Sequence, residues 1–336
     1  MEERSPPGSF AGKKVGIVGG GSIGVGWAIV FARAGLRVAV LEPDDARRST
    51  FFGDLLARLF GLDAYGLLDD DARAIASRVV LTANLDEVVT QAVHVQECTP
   101  ESLEVKRAVF GEIDRQIAGE TTVASSSSAL TISDIVSELS ERGRYLVAHP
   151  GNPPYLLKVV EVAAGDSTDS EVVRSVMQLM TAVGMVPIEV GIEVEGLVFN
   201  RLQGAILREA YCLVRDGVVS PADLDRVVTE GLGRRWSIIG PFAAAHLNTR
   251  GGIREHADRM GPAYARMGAD RGQDDPWTPE MVDRVARSVE AAFPLEQWEE
   301  AVLWRDIELM RWDALQRSRP RNDGVTLFNT DEMGTD

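Results

Sequence analysis

The feature of this sequence that most constrains its fold is a glycine-rich turn between a β-type run and a helical one. Residues 14–18 form a short apolar run, Gly19-Gly20-Gly21-Ser22-Ile23-Gly24 follows, and residues 23–34 have the periodicity of an amphipathic helix. In this G-x-G-x-x-G pattern, Gly19 permits a tight turn, Gly21 lets the backbone approach a pyrophosphate, and Gly24 lets the helix pack on the strand. The pattern predicts a dinucleotide site in which the pyrophosphate rests on the helix N-terminus, at the amides of Ser22 and Ile23.

An acidic residue at the end of the next β-type run supports this prediction. Glu42 follows the run at residues 36–41 and lies eighteen positions after Gly24. A carboxylate at this point accepts hydrogen bonds from an adenosine ribose diol and repels a 2′-phosphate. The predicted cofactor is therefore NAD rather than NADP, although Arg47 and Arg48 lie close enough to weaken that exclusion.

Alternation of β-type runs with helical stretches sets the fold class. The candidate strands are residues 14–18, 36–41, 78–81, 92–96, 121–124, 144–148, 157–162 and 185–190. Strand–helix alternation predicts an α/β fold with a Rossmann-type, mostly parallel sheet. Only Asn152-Pro153-Pro154 and a few neighbours separate the sixth and seventh runs, so we expect this pair to be antiparallel or sharply bent.

The pattern changes near residues 191–196, after which the β-type runs stop. The candidate helices beyond this point are residues 197–214, 221–230, 241–245 and beyond, 253–265, 279–291 and 295–315. The sequence therefore predicts an NAD-binding Rossmann domain at residues 1–193, an all-helical C-terminal domain at 194–318, and a polar tail at 319–336. The roles of the helical domain in substrate binding and dimerisation follow only from the family resemblance described below.

Composition narrows the classes of partner. The chain has 336 residues with 51 Asp+Glu against 35 Lys+Arg, a formal net charge of −16. Nucleic acid and anionic membranes are not expected partners, because binding phosphates needs a positive surface. No apolar run reaches the roughly 18 residues of a membrane span, and no secretory signal is expected. Two cysteines are too few for a disulfide framework or a zinc cluster. We expect a cytoplasmic protein without a metal.

A histidine and an acid in adjacent predicted strands suggest acid–base chemistry. His149 ends the sixth run, and Glu161 lies twelve residues later in the seventh. Oxidation of a secondary alcohol leaves a hydroxyl proton to be removed, and imidazole suits this with an ordinary pKa of about 6.5. A carboxylate on the far ring nitrogen would fix the tautomer and stabilise the imidazolium.

These segments carry a family resemblance. The motifs concerned are residues 125–130, 148–155, 200–203, 230–236, 239–241, 246–248 and 304–306. Together they resemble the 3-hydroxyacyl-CoA dehydrogenase superfamily, whose pattern is His-x-x-Asn-Pro followed by a strand ending in Val-Glu. The likeness is strongest to the λ-crystallin/L-gulonate 3-dehydrogenase branch and covers about residues 13–318.

The resemblance implies roles for individual residues. His149 matches the general base and Glu161 its partner, while Ser128 and Asn200 match groups that contact the reacting oxygen of the substrate. Asn152 either orders the proline-rich turn or assists His149. Two further residues, Glu101 and Lys106, match positions near the nicotinamide ribose. The resemblance also implies a homodimer formed by the helical domains.

The superfamily acts either on coenzyme A thioesters or on free polar 3-hydroxy acids. A free acid needs a fixed cation for its carboxylate, and an arginine supplies a bidentate fork. The candidates are Arg234 and Arg235, between two helical stretches. We therefore expect an NAD-dependent dehydrogenase of a small free 3-hydroxy acid, such as L-gulonate or a related polar acid. The alternatives are a 3-hydroxyacyl-CoA dehydrogenase and a non-catalytic, crystallin-like NAD-binding protein.

Overall fold

The computed structural model of the protein describes residues 10–237, 240–250, 252–271 and 294–318. The helix predicted at 279–291, the polar tail at 319–336 and Ile239 of the 239–241 motif lie outside the described residues. Within the described part of the chain, no helix is both long and apolar enough to cross a membrane.

A single eight-stranded sheet organises the first part of the chain. The strands are β1 (Lys14–Val18), β2 (Arg37–Leu41), β3 (Val79–Thr82), β4 (Ala92–Glu97), β5 (Thr122–Ser125), β6 (Tyr145–Pro150), β7 (Val159–Ala164) and β8 (Val186–Val190). Their order is β3-β2-β1-β4-β5-β6-β7-β8. Every pairing is parallel except β6 with β7, which is antiparallel. All eight predicted strands are confirmed within about two residues at each end.

Helices connect the parallel strands. They are α1 (Ser22–Arg33), α2 (Asp45–Ala64), α3 (Ala72–Ala76), α4 (Leu85–Val89), α5 (Leu103–Gln116), α6 (Ile132–Ile135) and α7 (Ser170–Ala182). Polar side chains fix several starts. Asp44 accepts a hydrogen bond from the Arg47 amide at the start of α2, and Ser102 caps α5 in the same way through Val105.

The core of this region lies on both faces of the sheet. Strands β1, β4 and β5 are buried along most of their length, as expected when helices cover both faces of a parallel sheet. One face packs against α1, whose Trp27 and Phe31 are fully buried and stacked. On the other face, Phe110 of α5 packs against Tyr145. The sheet is thus a rigid support for side chains at its strand ends.

The chain after β8 is helical, which confirms the predicted fold class. Its helices are α8 (Leu197–Arg215), α9 (Pro221–Val227), α10 (Gly233–Trp236), α11 (Pro241–Leu247), α12 (Gly252–Arg271) and α13 (Trp298–Ser318). The predicted helix at 221–230 is interrupted, because a π-helical turn at Val228–Leu232 separates α9 from α10. Glycines at 231 and 233 favour such a departure, since glycine is a poor α-helix former.

Contacts divide the chain into two compact units. The first extends to Asn200 and also includes the chain from Trp304 onward, and the second is Arg201–Leu303. This division differs from the predicted helical domain at 194–318, because all of α13 from Trp304 onward belongs to the sheet-containing unit. Met310 of α13 is 5% exposed and lies in the same core cluster as β1 and α1. Tyr155 also donates a hydrogen bond to Asp306.

Candidate active site

The glycine-rich turn has the shape that a bound pyrophosphate requires. Gly19 has a φ of 109°, and its amide donates to the Leu41 carbonyl at 2.9 Å. A Cβ on Gly24 would lie 1.9 Å from the Gly19 carbonyl oxygen, so a side chain there cannot fit. A Cβ on Gly21 would meet nothing within 4 Å, which leaves open space in front of the turn. No side chain caps the start of α1, so its first amides are available to an anion.

Glu42 occupies the position that the ribose of a dinucleotide needs. The residue is 3% exposed, and its two carboxylate oxygens accept the amides of Gly20 and Asp44, each at 3.0 Å. Each oxygen retains acceptor capacity for a ribose hydroxyl. The Arg48 guanidinium is bound to the Glu42 carbonyl and to Asp45. The turn, the uncapped helix and this acid together fit NAD.

A buried charge pair lies at the end of β4, the strand that pairs with β1 on the side away from β2. The ammonium nitrogen of Lys106 lies 3.0 Å from both carboxylate oxygens of Glu97, and both residues are at most 1% exposed. Ser125 donates to one oxygen of Glu97 at 2.6 Å, and the Thr99 amide donates to the other. The predicted cofactor residue Lys106 is therefore held within the protein. Sequence reasoning missed Glu97, because the predicted strand ended one residue earlier and left this acid in a loop.

Glu101 shapes the serine-rich loop after β5. Its Oε1 accepts the Ser127 hydroxyl at 2.6 Å and the amides of Ser128 and Ala129 at 3.0 and 2.9 Å. Burial raises the pKa of Glu101, but the hydrogen bonds from Ser127 and Ala129 and the charge of Lys106 outweigh it and hold the pKa below its ordinary value. The carboxylate is therefore ionised at neutral pH and fixes the position of Ser128.

His149 and Glu161 form a hydrogen-bonded pair. They are directly opposite in the antiparallel register of β6 and β7, and His149 Nδ1 lies 2.9 Å from Glu161 Oε2. The other oxygen of Glu161 accepts the amides of Val198 and Phe199 at 2.7 and 2.9 Å. The acid therefore binds both the imidazole and the first turn of α8. That second contact had no sequence signal, because it joins residues 37 and 38 positions apart.

Two of the predicted asparagines lie close to this pair, in different environments. The side-chain amide of Asn200, in the first turn of α8, donates to the Ser128 carbonyl at 3.2 Å. Asn152 is exposed in the turn that follows β6. The ring of Pro154 in the same turn packs on α1, because a Cβ on Gly26 would lie 2.7 Å from its side chain. The proline-rich turn and the predicted cofactor helix are thus in direct contact.

One cavity of about 280 Å³ brings together six of the predicted site residues. The predicted residues that line it are Ile23, Glu101, Lys106, Ser128, His149 and Asn152. They come from four separate stretches of sequence: the glycine-rich turn, the segment after β4, the serine-rich loop and the end of β6. Cys98, Thr99, Ser126 and Pro150 complete the lining, and sequence reasoning had assigned none of them to the site. Within the described ranges, no group of three or more His, Cys, Asp or Glu side chains could hold a metal ion.

The predicted carboxylate-binding arginines lie in the second unit. Arg234 and Arg235 belong to α10, and both are exposed. Arg234 forms an ion pair with Glu230, one helical turn earlier, at 3.1 Å. Their role toward a substrate stays a prediction.

Comparison with known proteins agrees with this site. The family profile described as "3-hydroxyacyl-CoA dehydrogenase, NAD binding domain" matches residues 14–194, and the profile of the C-terminal domain of the same family matches residues 196–291. The chain is 36% identical over 323 residues to the λ-crystallin homolog of Bos taurus, covering 94% of this chain and 99% of the relative. It is 32% identical over 282 residues to the L-carnitine dehydrogenase of Oceanobacillus iheyensis, covering 82% and 88%.

Solved structures show the same likeness. The NAD⁺-dependent 5-formyl-3-hydroxy-2-methylpyridine 4-carboxylic acid 5-dehydrogenase aligns with a TM-score of 0.78 at 28% identity, covering 92% of this chain and 99% of that one. FadB2 of M. tuberculosis aligns with a TM-score of 0.65 at 26% identity, covering 84% and 95%. The fold and the site define an NAD-dependent oxidoreductase. The chain belongs to the 3-hydroxyacyl-CoA dehydrogenase family.

Proposed function

We propose that this protein oxidises the 3-hydroxyl group of a small, free, polar 3-hydroxy acid to the 3-keto acid, with His149 as the general base. The observation that carries the proposal is the 2.9 Å contact between His149 Nδ1 and Glu161, at the wall of a cavity that Ile23 and Ser128 also line. The same cavity is thus lined by the base, by a polar residue for the substrate oxygen and by the start of the predicted cofactor helix.

The His149–Glu161 pair removes the hydroxyl proton of the substrate. With Nδ1 donating to the carboxylate of Glu161, Nε2 of His149 is the nitrogen that takes the hydroxyl proton of the substrate. Glu161 then stabilises the imidazolium. When bound, NAD accepts the hydride. The amides of Ser22 and Ile23 and the carboxylate of Glu42 would hold its pyrophosphate and adenosine ribose, and Glu101 the nicotinamide ribose.

The substrate oxygen needs donors as its negative charge develops. Ser128 lines the cavity, and the side-chain amide of Asn200 donates to the Ser128 carbonyl, so the serine-rich loop and the start of α8 are linked next to the base. In our proposal Ser128 and Asn200 donate to that oxygen and stabilise an alkoxide-like transition state. Asn152 binds the substrate from the turn after β6.

The choice of a free acid as the substrate rests on the proteins to which the chain is similar and on two arginines that could bind the carboxylate of the acid. Curated relatives include L-carnitine dehydrogenases and λ-crystallin homologs, together with a "3-hydroxyacyl-CoA dehydrogenase" of Gibberella moniliformis at 33% identity. We assign the substrate carboxylate to Arg234 or Arg235, since guanidinium forms bidentate pairs with carboxylates. We also propose that the protein acts as a homodimer, which analytical ultracentrifugation tests directly.

The decisive experiment compares turnover of free acids with turnover of thioesters. NADH formation is followed with L-gulonate, L-carnitine and 3-hydroxybutyrate as free acids and with 3-hydroxybutyryl-CoA as the thioester. The proposal predicts that kcat/KM for at least one free polar acid exceeds that for the thioester by about tenfold or more, the ratio that one well-placed charged contact supplies. A preference for the thioester makes the protein a 3-hydroxyacyl-CoA dehydrogenase, and no turnover with either class supports a structural, crystallin-like role.

The carboxylate contact has its own test in the same assay. Arg234→Met and Arg235→Met are assayed separately with the best free acid. One of the two is expected to raise KM about tenfold or more with little change in NADH affinity, because only the substrate loses a charged partner. The other variant serves as the matched control. An unchanged KM in both variants removes this assignment.

A further inference from the structure

A buried series of hydrogen bonds ends at Ser126, in the wall of the site cavity. Ser126 Oγ lies 3.1 Å from the indole nitrogen of Trp27 and 2.8 Å from the side-chain nitrogen of Gln96. The residue is partly exposed and lines the same cavity as Ile23 and His149. The chemistry proposed above gives this serine no task.

Both neighbours of Ser126 can act only as donors. An indole N–H has no acceptor capacity. The amide of Gln96 has a fixed orientation, because its nitrogen lies 3.2 Å from the carbonyl oxygen of Ala148, and a carbonyl only accepts. The oxygen of Gln96 then faces the buried His94 at 3.1 Å, which is consistent with an N–H on that ring nitrogen.

These two donors therefore make the Ser126 hydroxyl a donor toward any third partner. A serine oxygen has two lone pairs and one proton. Trp27 and Gln96 occupy both lone pairs, so Ser126 is left with a proton to donate. The acceptor within reach is the sulfur of Cys98 at 3.4 Å. Burial raises the pKa of the Cys98 thiol to about 12, so this sulfur is neutral and a weak acceptor. An oxygen that enters the cavity would be the stronger partner.

The sheet order indicates which molecule brings that oxygen. With its adenosine ribose at Glu42, directly after β2, and its pyrophosphate at the start of α1, NAD would extend from β2 toward β1. The next strand in the sheet is β4, and Cys98 directly follows it. The half of the cofactor beyond Ile23, on the side of His149, would then be the nicotinamide half, because its ring must meet the substrate carbon beside the base. We infer that the Ser126 hydroxyl donates a hydrogen bond to an oxygen of the nicotinamide half of NAD.

The test separates the two halves of the cofactor by direct binding. Dissociation constants for NADH and for ADP-ribose, which lacks the nicotinamide, are measured by calorimetry for the wild type and Ser126→Ala. We expect the NADH constant to rise about two- to tenfold, the effect of one lost hydrogen bond, and the ADP-ribose constant to stay unchanged. Thr122→Val is the matched control. It removes a hydroxyl bonded to His94 at the far end of the series and leaves both donors to Ser126 in place.

Each other outcome overturns the inference. Equal weakening of NADH and ADP-ribose means that Ser126 only supports the fold. Unchanged binding of both, with or without a raised KM for the acid, means that the cofactor is not its partner. If Ser126→Ala does not fold, Ser126→Cys keeps a donor of similar size but weaker strength, and unchanged NADH affinity in that variant contradicts the inference. Because no readout depends on the acid, the result is independent of the proposed substrate.

Discussion

Two buried acid–base pairs each contribute one residue, Lys106 or His149, to the wall of one cavity. The pairs differ in how much hydrogen-bonding capacity they leave open. The ammonium of Lys106 has three protons, and the two oxygens of Glu97 and the Thr99 carbonyl accept them. The imidazole of His149 is held by Glu161 through Nδ1, which leaves Nε2 for a substrate. The first pair is closed and stabilises the strand end. The second is oriented but open, which is what a general base requires.

Breaking the open pair is expected to have the largest effect, and the effect should be on catalysis. Replacing His149 with Gln removes the base while keeping a polar side chain. We expect kcat to fall about 10²- to 10⁴-fold, the usual contribution of a positioned base. Steady-state kinetics measure this, and NADH binding and thermal unfolding should stay close to the wild type. Undiminished turnover would show that another group takes the proton.

Breaking the closed pair should instead affect stability. In Lys106→Met the carboxylate of Glu97 is left buried without its cation, and the free energy of unfolding should fall by about 3–5 kcal/mol. Urea denaturation measures the loss. The double variant Lys106→Met/Glu97→Gln removes the buried charge as well and should regain part of the stability. A single variant as stable as the wild type would contradict the description of this pair as a closed, stabilising one.

A smaller effect is expected from His94, which is fully buried in β4. Burial lowers its pKa from 6.5 to about 4, although its hydrogen bond with Gln96 acts in the opposite direction. Between these values the unfolded chain binds a proton that the folded chain does not. Stability should therefore decrease as pH falls from 6.5 toward 4, by about 1.4 kcal/mol per pH unit from this residue. The variant His94→Gln has no titrating group at this position, so its free energy of unfolding, measured by urea denaturation at each pH, should fall less steeply. Equal slopes of stability against pH in the variant and the wild type would exclude the lowered pKa of His94.

Local patterns in the sequence were enough for much of the fold. The eight strands and the antiparallel return between β6 and β7 follow from apolar runs and from a linker too short for a helix. Ser128 and Asn200 were singled out by family resemblance, and the position of the Glu161–His149 contact follows from two facing strands. The strands and the His149–Glu161 contact are found as predicted because each depends on neighbours in sequence, whereas the roles of Ser128 and Asn200 stay predictions.

Contacts between distant segments could not be predicted in this way. Glu97 lies just beyond the predicted strand, and only the fold brings it to Lys106. The hydrogen bond from the start of α8 to Glu161 joins a strand to a helix across an intervening helix and strand. Gly151 is a third example. A Cβ there would lie 2.7 Å from the Leu157 side chain, a restriction that depends on how the turn folds back. The proposed role of Ser126 likewise depends on partners in α1, in β4 and directly after β4.

The central claim is that His149 and Glu161 act as one unit, and a kinetic double-mutant cycle tests it most directly. Turnover is measured for His149→Gln, Glu161→Gln and the double variant. Because Glu161 acts through the imidazole, we expect the double variant to lie within about threefold of His149→Gln alone. A loss in the double variant equal to the product of the two single losses would show that the residues act independently and would contradict the account.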